Sequence, residues 1–354
     1  MRDVHQFSFH LQVYQEMIDR GWRRSGTYCY KPDLKNSCCP QYTIKLDATK
    51  FKPTKRQRKV LSRWNRFIVE GRNDDSSMES DGPPSKKAKK NPGFDLVTAV
   101  HAAEADWTEG ESKHRFETTL EPSTYTDEKF ALYGRYQEDI HHDEEKTSSG
   151  FERFLVDTPL KREPIPYPAT PPKHLPTHYG SYHQLYRLDG ELIAMAVLDI
   201  LPGCVSSVYF MYDKKWEKYS LGKLSAIREV TLAVEICEAG VPSVSSLYMG
   251  FYIHSCTKMR YKGEYSPSFL ADPVTYQWFP LSECLKQLGK TRYACFSNPA
   301  ESSAEPPTNT PIYPQVSLPS TEVQEMMVIE RIEKRVPVLA PFNVCTISTP
   351  SKGI

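Results

Sequence analysis

The densest group of chemically capable side chains is Tyr252-Ile253-His254-Ser255-Cys256-Thr257-Lys258-Met259-Arg260-Tyr261-Lys262-Gly263, where three cations alternate with Met and Tyr after an apolar run. Such cations attract phosphates or carboxylates, and an imidazole carries a proton near neutral pH. The end of a buried strand is also where open sheets bind ligands, although a solvated face is the plain alternative. A second group is Tyr219-Ser220-Leu221-Gly222-Lys223-Leu224-Ser225-Ala226-Ile227-Arg228-Glu229, in which a glycine opens a helical pattern. Unpaired N–H groups there, aided by Lys223, suit a phosphate or the 3′ end of an RNA, and an ordinary helix cap needs the same residues.

Three other groups are weaker. Tyr179-Gly180-Ser181-Tyr182-His183-Gln184-Leu185-Tyr186-Arg187 precedes Asp189-Gly190 and reads as a substrate wall or as cover for a sheet edge. Cys38-Cys39, with Cys29 and the cations Arg23 and Arg24 upstream, could ionise readily and ligate a soft metal. Two adjacent thiols do not close a four-ligand site, however, and the chain holds no CxxC. The segment from Lys45 to Arg66 carries nine basic residues and one acid, and the basic helix it leads into bears Trp64 and Phe67. It offers phosphate contacts plus a stacking platform, or simply a solvated face.

The elements that would position these residues follow from periodicity. Phe7–Arg20 and Lys55–Val69 have helix-like apolar spacing, and Gly21 stands where the first helix should stop. Asp127 is placed to cap a helix containing Phe130, Tyr133, Tyr136 and Ile140. Residues 183–188 and 191–200 flank Asp189-Gly190, a two-residue hairpin signal, and 205–212 reads as a third strand. A helix over 222–238, a buried strand over 247–253, a strand over 276–281 and a short helix after Ser282 complete the pattern. The order predicts an α+β domain with a central helix across one face of a mixed sheet. Segments 1–70, 71–120, 121–297 and 298–354 read as a small N-terminal module, a disordered linker, the main domain and a low-complexity tail. One helix is expected in that tail, over 322–334.

Composition narrows the classes. The 354 residues contain 45 Lys+Arg and 44 Asp+Glu, so only a local patch, not the global field, can bind nucleic acid. Thirteen acids against four Lys/Arg lie between His101 and Glu145. A mean hydropathy of −0.55 fits a chain that is partly unfolded. No apolar run approaches bilayer length, and Met1–His5 opens no secretory signal. Nine scattered Cys suit a reducing compartment, so a cytoplasmic location is expected, with Lys86-Lys87-Ala88-Lys89-Lys90 as a nuclear import run.

Several strings occur together: Trp22-Arg23-Arg24-Ser25-Gly26, Cys38-Cys39-Pro40, Gly180-Ser181-Tyr182-His183-Gln184, Leu198-Asp199-Ile200-Leu201-Pro202 and the segment from Tyr252 to Gly263. In that order they resemble the eukaryotic arginyl-tRNA–protein transferases over roughly residues 13–70 and 125–285. The resemblance implies a GNAT-like acyltransferase domain and transfer of arginine from arginyl-tRNA to the N-terminal amine of proteins beginning with Asp or Glu, marking them for ubiquitin-dependent degradation. No cofactor is required, because the ester is already activated, and neither membrane nor DNA is expected as a partner. Asp199, Asp213 or Glu229 would hold the arginyl group, and His183 or His254 would relay the proton. Tyr182, Arg187, Gly222, Lys223, Arg228, Lys258, Arg260 and Lys262 would contact donor or acceptor.

Family members carry an upstream CxxC that completes an iron–sulfur or zinc site. Cys38 and Cys39 would be half of it, and the chain reads as N-terminally truncated relative to the family. Lys214-Lys215 follows Asp213 where the family usually shows Pro-Asp. The rival expectation is a non-catalytic binder of tRNA or acidic N-termini. An acetyl-CoA enzyme is disfavoured because Leu224 stands where a second small residue would let a pyrophosphate approach.

Overall fold

The computed structural model describes residues 10–72, 94–106, 112–143, 145–305, 327–333 and 336–341. Helix α1 (Leu11–Asp19) stops at Gly21, whose φ of 89° suits a residue without a Cβ. The short hairpin β1 (Arg23–Ser25) and β2 (Tyr28–Tyr30) follows, then strand β3 (Tyr42–Asp47) and helix α2 (Lys55–Glu70). Thr54 and Gln57 form a reciprocal capping box at the start of α2. Helix α3 (Leu96–His101), strand β4 (Phe116–Pro122) and helix α4 (Asp127–Tyr136) come next. The cap of α4 is Thr126, whose hydroxyl accepts from the Lys129 N–H, one residue before the expected Asp127.

After α5 (Ser148–Phe151) and the two-residue β5 (Glu163–Pro164) come three long strands, β6 (His178–Leu188), β7 (Glu191–Leu201) and β8 (Cys204–Tyr212). Asp189 and Gly190 both have positive φ, 51° and 85°, as a two-residue hairpin turn of the predicted kind requires. Then follow α6 (Leu221–Glu238), β9 (Ser246–Tyr252), α7 (Thr257–Arg260), β10 (Ser268–Ala271), β11 (Trp278–Pro280) and α8 (Leu281–Leu288).

Eight strands run β11-β10-β3-β9-β8-β7-β6-β4, with β5 on the start of β6. Every neighbouring pair is antiparallel except β8 and β9. These two pair in parallel only over Cys204–Ser246, Val205–Leu247 and Ser206–Tyr248, and α6 is the crossover between them. Beyond those pairs β8 and β9 share no further register, and opposite Ile44 the latter bulges at Met249–Gly250, where Gly250 has φ 65°. One face of the sheet packs α2, α3 and α6, including the buried Leu224, Ile227 and Val230. The other face packs α4 and α5 against Leu185, Leu192, Met195 and Met211.

Three expectations change. The segment 71–120 holds α3 and most of β4, which pairs with β6 from Phe116–Leu188 to Pro122–Tyr182. Fully buried Phe116 anchors that strand, while its acidic side chains stay at the sheet's edge; residues 73–93, which give the stretch its unfolded composition and include the run Lys86–Lys90, lie outside the described residues. Strand β3, from the expected N-terminal module, is inserted between β9 and β10, so residues 42–47 belong to the main sheet. In the tail, 327–333 is strand β12 paired with β13 (Val336–Pro341), where a helix was expected. The β-branched Val328, Ile329, Ile332, Val336 and Val338 favour that pairing. Residues 298–305 of the tail are also described, with a 3-10 turn at Pro299–Glu301 and a bridge from Ser303 to Tyr293, and the remainder lies outside the described residues.

Candidate functional site

Where β8 and β9 part, two contiguous cavities open at the N-terminus of α6. The larger, of about 540 Å³, is lined by Ser207–Phe210 and Tyr212 from β8, the first turns of α6, Met249 and Gly250, and Lys258, Met259, Tyr261 and Lys262 after β9. The smaller, of about 180 Å³, is lined by Arg23, Arg24, Tyr14, Tyr30, Gln41, Ser206, Phe251 and Ile253. Ser207, Val208, Gly250, Met259 and Lys262 line both. The strand-helix-strand geometry puts the cavities at the carboxyl ends of the parallel pair, where open sheets bind ligands.

The larger cavity has aromatic walls. Tyr136, Tyr209, Phe210, Tyr212 and Tyr261 line it, and the rings of Phe210 and Tyr212 stack at 6.0 Å. Lys223 and Lys258 are exposed at its border. Gly222 belongs to its floor, and a Cβ there would meet the Phe210 ring at 3.8 Å, an ordinary contact. Glu229 is buried on the same helix and accepts from Ser225 Oγ at 2.7 Å. Burial raises its carboxyl, opposed by hydrogen bonds from Ser225 and Ser207.

The smaller cavity is cationic. Arg23 is buried, and its guanidinium donates only to carbonyls: Trp22 O at 2.5 Å, Gly250 O at 3.1 Å and Ile18 O at 3.3 Å. Its Nε has no partner, and among the described residues no carboxylate pairs with it. Burial lowers its pKa accordingly. Lys262, at the junction, donates to Phe251 O at 2.9 Å. Burial and the Arg23 charge push its ammonium down to about 8, with Glu229 opposing.

The expected residues divide. Glu229, Gly222, Lys223, Lys258 and Lys262 meet in the cavities. His254 lies just past Ile253 with Nδ1 3.2 Å from Tyr252 Oη, beside the cavities without lining them. Arg260 is exposed and bonded to Thr257. Asp199 is not available to an arginyl group. It is fully buried in a bidentate pair with Arg24, at 2.6 and 2.8 Å, which also holds Ser181. Asp213 caps the turn 214–219 through the Lys215 N–H and pairs with Arg135 at 3.1 Å.

His183, expected as a possible proton relay, lines neither cavity. It is fully buried in β6, its Nε2 2.9 Å from Leu155 O and its Nδ1 without a partner, and burial pushes it down to about 4. Tyr182 donates to His178 O, and Arg187 is clasped by Glu128, both away from the cavities. Arg228 is buried against Glu104 on the other side of α6. The aromatics of the basic helix are core as well. Trp64 packs edge-on to Phe116 and Tyr219 at 5.1 and 5.3 Å, leaving no stacking platform there, whereas Lys55, Arg56, Arg58 and Lys59 remain exposed.

Sequence reasoning missed Arg23, because its charge was read as support for the thiols. Cys38 and Cys39 do lie together, Sγ to Sγ at 3.7 Å, and hydrogen bonds from Ser255 and Cys38 lower Cys39. Among the described residues no third His, Cys, Asp or Glu ligand joins them. The pair does not by itself fit a four-ligand cluster.

The profile of the Arginine-tRNA-protein transferase C terminus matches residues 128–272, and that of the N terminus matches residues 2–59. The Arginyl-tRNA--protein transferase 1 of Drosophila melanogaster is 33% identical over 80% of this chain and 78% of its own. The chain belongs to the arginyl-tRNA–protein transferase family. It is thereby an aminoacyltransferase, and no relative favours a non-catalytic binder. The family's C-terminal profile spans residues from α4 to β10 and so takes in the larger cavity, while its N-terminal profile supplies Tyr14, Arg23, Arg24, Tyr30 and Gln41 of the smaller one, together with β3. The Aspartate/glutamate leucyltransferase of Pseudomonas fluorescens is also similar, 26% identical over 77% of this chain and 84% of its own. A solved structure of L-PGS from Bacillus licheniformis covers 62% of this chain and 49% of its own at 12% identity, with a TM-score of 0.27, too low to argue from. No described helix is long and apolar enough to cross a membrane.

Proposed function

We propose that this arginyltransferase seats the 3′ end of arginyl-tRNA in the larger cavity and an acceptor beginning with Asp or Glu in the smaller one, so that amine and ester meet beside Lys262. The observation that carries this reading is the charge division. Among the described residues, a buried carboxylate without a cationic partner within salt-bridge distance, Glu229, faces one cavity, and a buried guanidinium without a carboxylate, Arg23, faces the other. Each is costly alone and is compensated by a ligand of opposite sign.

The donor's guanidinium pairs with Glu229. The terminal adenine stacks on Tyr212 or Phe210, and Lys223, Lys258 and the exposed cations of α2 take the phosphates. The acceptor's side-chain carboxylate pairs with Arg23. The name of the Pseudomonas relative, an aspartate/glutamate leucyltransferase, supports that acceptor class. The neutral α-amine attacks the ester carbonyl, forming the amide C–N bond and breaking the C–O bond to ribose. The proton lost by nitrogen ends on the ribose hydroxyl. Lys262 is placed to carry it, since an ammonium near pH 8 exchanges protons with an α-amine of similar affinity.

The order β6-β7-β8-α6-β9, with the cavity at the helix start, supports a GNAT-like assignment for this half. The reaction itself calls for no cofactor. A cytoplasmic location, extended to the nucleus through Lys86–Lys90, accords with the scattered thiols. Incubation with labelled arginyl-tRNA and peptides beginning with Asp, Glu or Ala tests the reading. Label on the Asp and Glu peptides alone supports it. Label on none, equal label on the Ala peptide, or preference for leucyl-tRNA contradicts it.

A further inference from the structure

We propose that His101, His174 and Glu235 form a site for a divalent transition-metal ion of the zinc type, on the opposite side of α6 from the cavities. The three come from distant segments: His101 ends α3, His174 lies in the proline-rich passage before β6, and Glu235 is in the last turn of α6. Their ligand atoms all lie within 4.8 Å of one another. Nε2 of His101 and Nε2 of His174 converge on the same Glu235 Oε1, at 3.1 and 2.9 Å.

A tetrahedral ion with bonds of about 2.0–2.1 Å sets its ligand atoms roughly 3.3 Å apart, so Glu235 Oε1, at 3.1 and 2.9 Å from the two imidazole nitrogens, need draw back from them by only a few tenths of an ångström to admit one. The outer contacts are of the kind such sites use. His101 Nδ1 lies 2.7 Å from Glu104 Oε2, and the other oxygen of that carboxylate accepts from Thr118 Oγ1 at 2.9 Å and from Arg228. A carboxylate behind a ligating imidazole fixes its tautomer and orientation. His101 and Glu235 are 9% and 10% exposed, while His174 is 31% exposed on a cleft of about 490 Å³, which leaves room for water as the fourth ligand. Two imidazoles with one carboxylate select zinc or cobalt over calcium or magnesium, which require oxygen ligands. The bound ion would tie the proline-rich passage and α3 to α6, the helix whose other end floors the donor cavity.

The test uses the full chain carrying Cys38→Ser and Cys39→Ser, stripped with a chelator and titrated with Co²⁺ and then Zn²⁺. One equivalent should bind, with the visible bands of a four-coordinate nitrogen–oxygen site and no thiolate charge transfer, and Zn²⁺ should raise the melting temperature. His174→Gln should weaken binding of both ions at least tenfold and abolish that rise, while its metal-free melt stays cooperative. Should that variant fail to fold, Glu235→Gln gives the same reading. Absence of Co²⁺ binding to the stripped chain, or unchanged affinity in the folded variants, overturns the proposal.

Discussion

Lys262 and His183 show how environment, more than residue type, decides what a titratable group can do. The sequence offered Lys262 as a cation for donor or acceptor and His183 as a proton relay. Lys262 lies at the mouth of both cavities with its ammonium pushed down to about 8, whereas His183 is sealed in the sheet. If the transfer needs both Lys262 and the acceptor amine neutral, the logarithm of kcat/KM should rise with a slope approaching two as pH increases below 7.5. In Lys262→Arg, whose guanidinium does not deprotonate, the residual rate should rise with a slope of one; unchanged slopes would remove Lys262 from proton transfer.

His183 acts on stability instead. Its folded pKa of about 4 lies below the unfolded 6.5, so between those values the unfolded chain takes up a proton that the folded chain refuses. Its share of stability is therefore lost on acidification, by about 2 kcal/mol between pH 7 and pH 5. Urea unfolding of the wild type and His183→Gln at the two pH values should show that difference. Arg23 and Asp199 were illegible for a common reason: spacing says where a charge falls in the chain but not which carbonyl or opposite charge it will be buried against.

At the scale of elements, the hairpin at Asp189-Gly190, the three long strands and α6 were legible, because period-two and helix-like spacing and turn residues act locally. Strands β3, β4 and β10 were not. Each is short or lies in a stretch whose composition is set by its charged neighbours, and each is fixed by partners distant in sequence. The parting of β8 from β9 is likewise a tertiary feature, although Gly222 marked its helix. The basic helix α2 illustrates a pattern that admits two uses. Trp64→Ala should cost about 3–5 kcal/mol, since the indole is fully buried against Phe116, Phe67 and Tyr219. Chemical denaturation measures it. A variant of native stability with weakened tRNA binding would instead restore the stacking role.

At the scale of the whole molecule, the N-terminal and main segments share one sheet. Strand β3 joins β9 to β10, and Arg24 buries its charge against Asp199. Residues 94–305 alone would expose the β9 and β10 edges and leave Asp199 as an uncompensated buried charge. That fragment is expected to melt without cooperativity, and co-expression with residues 1–72 to restore a cooperative transition; a fragment that folds by itself would refute the shared-sheet account.

The proposed division places donor and acceptor in separate cavities with opposite buried charges. Steady-state kinetics of Glu229→Gln and Arg23→Met, with arginyl-tRNA and an Asp peptide varied in turn, test it most directly. Loss of one charge-assisted hydrogen bond is worth about 1.5–3 kcal/mol, or roughly 10–100-fold. Glu229→Gln should lose that factor in kcat/KM for arginyl-tRNA while the peptide KM holds, and Arg23→Met should lose it for the Asp peptide while the tRNA KM holds. Equal losses for both substrates in both variants, or no loss in either, would contradict it.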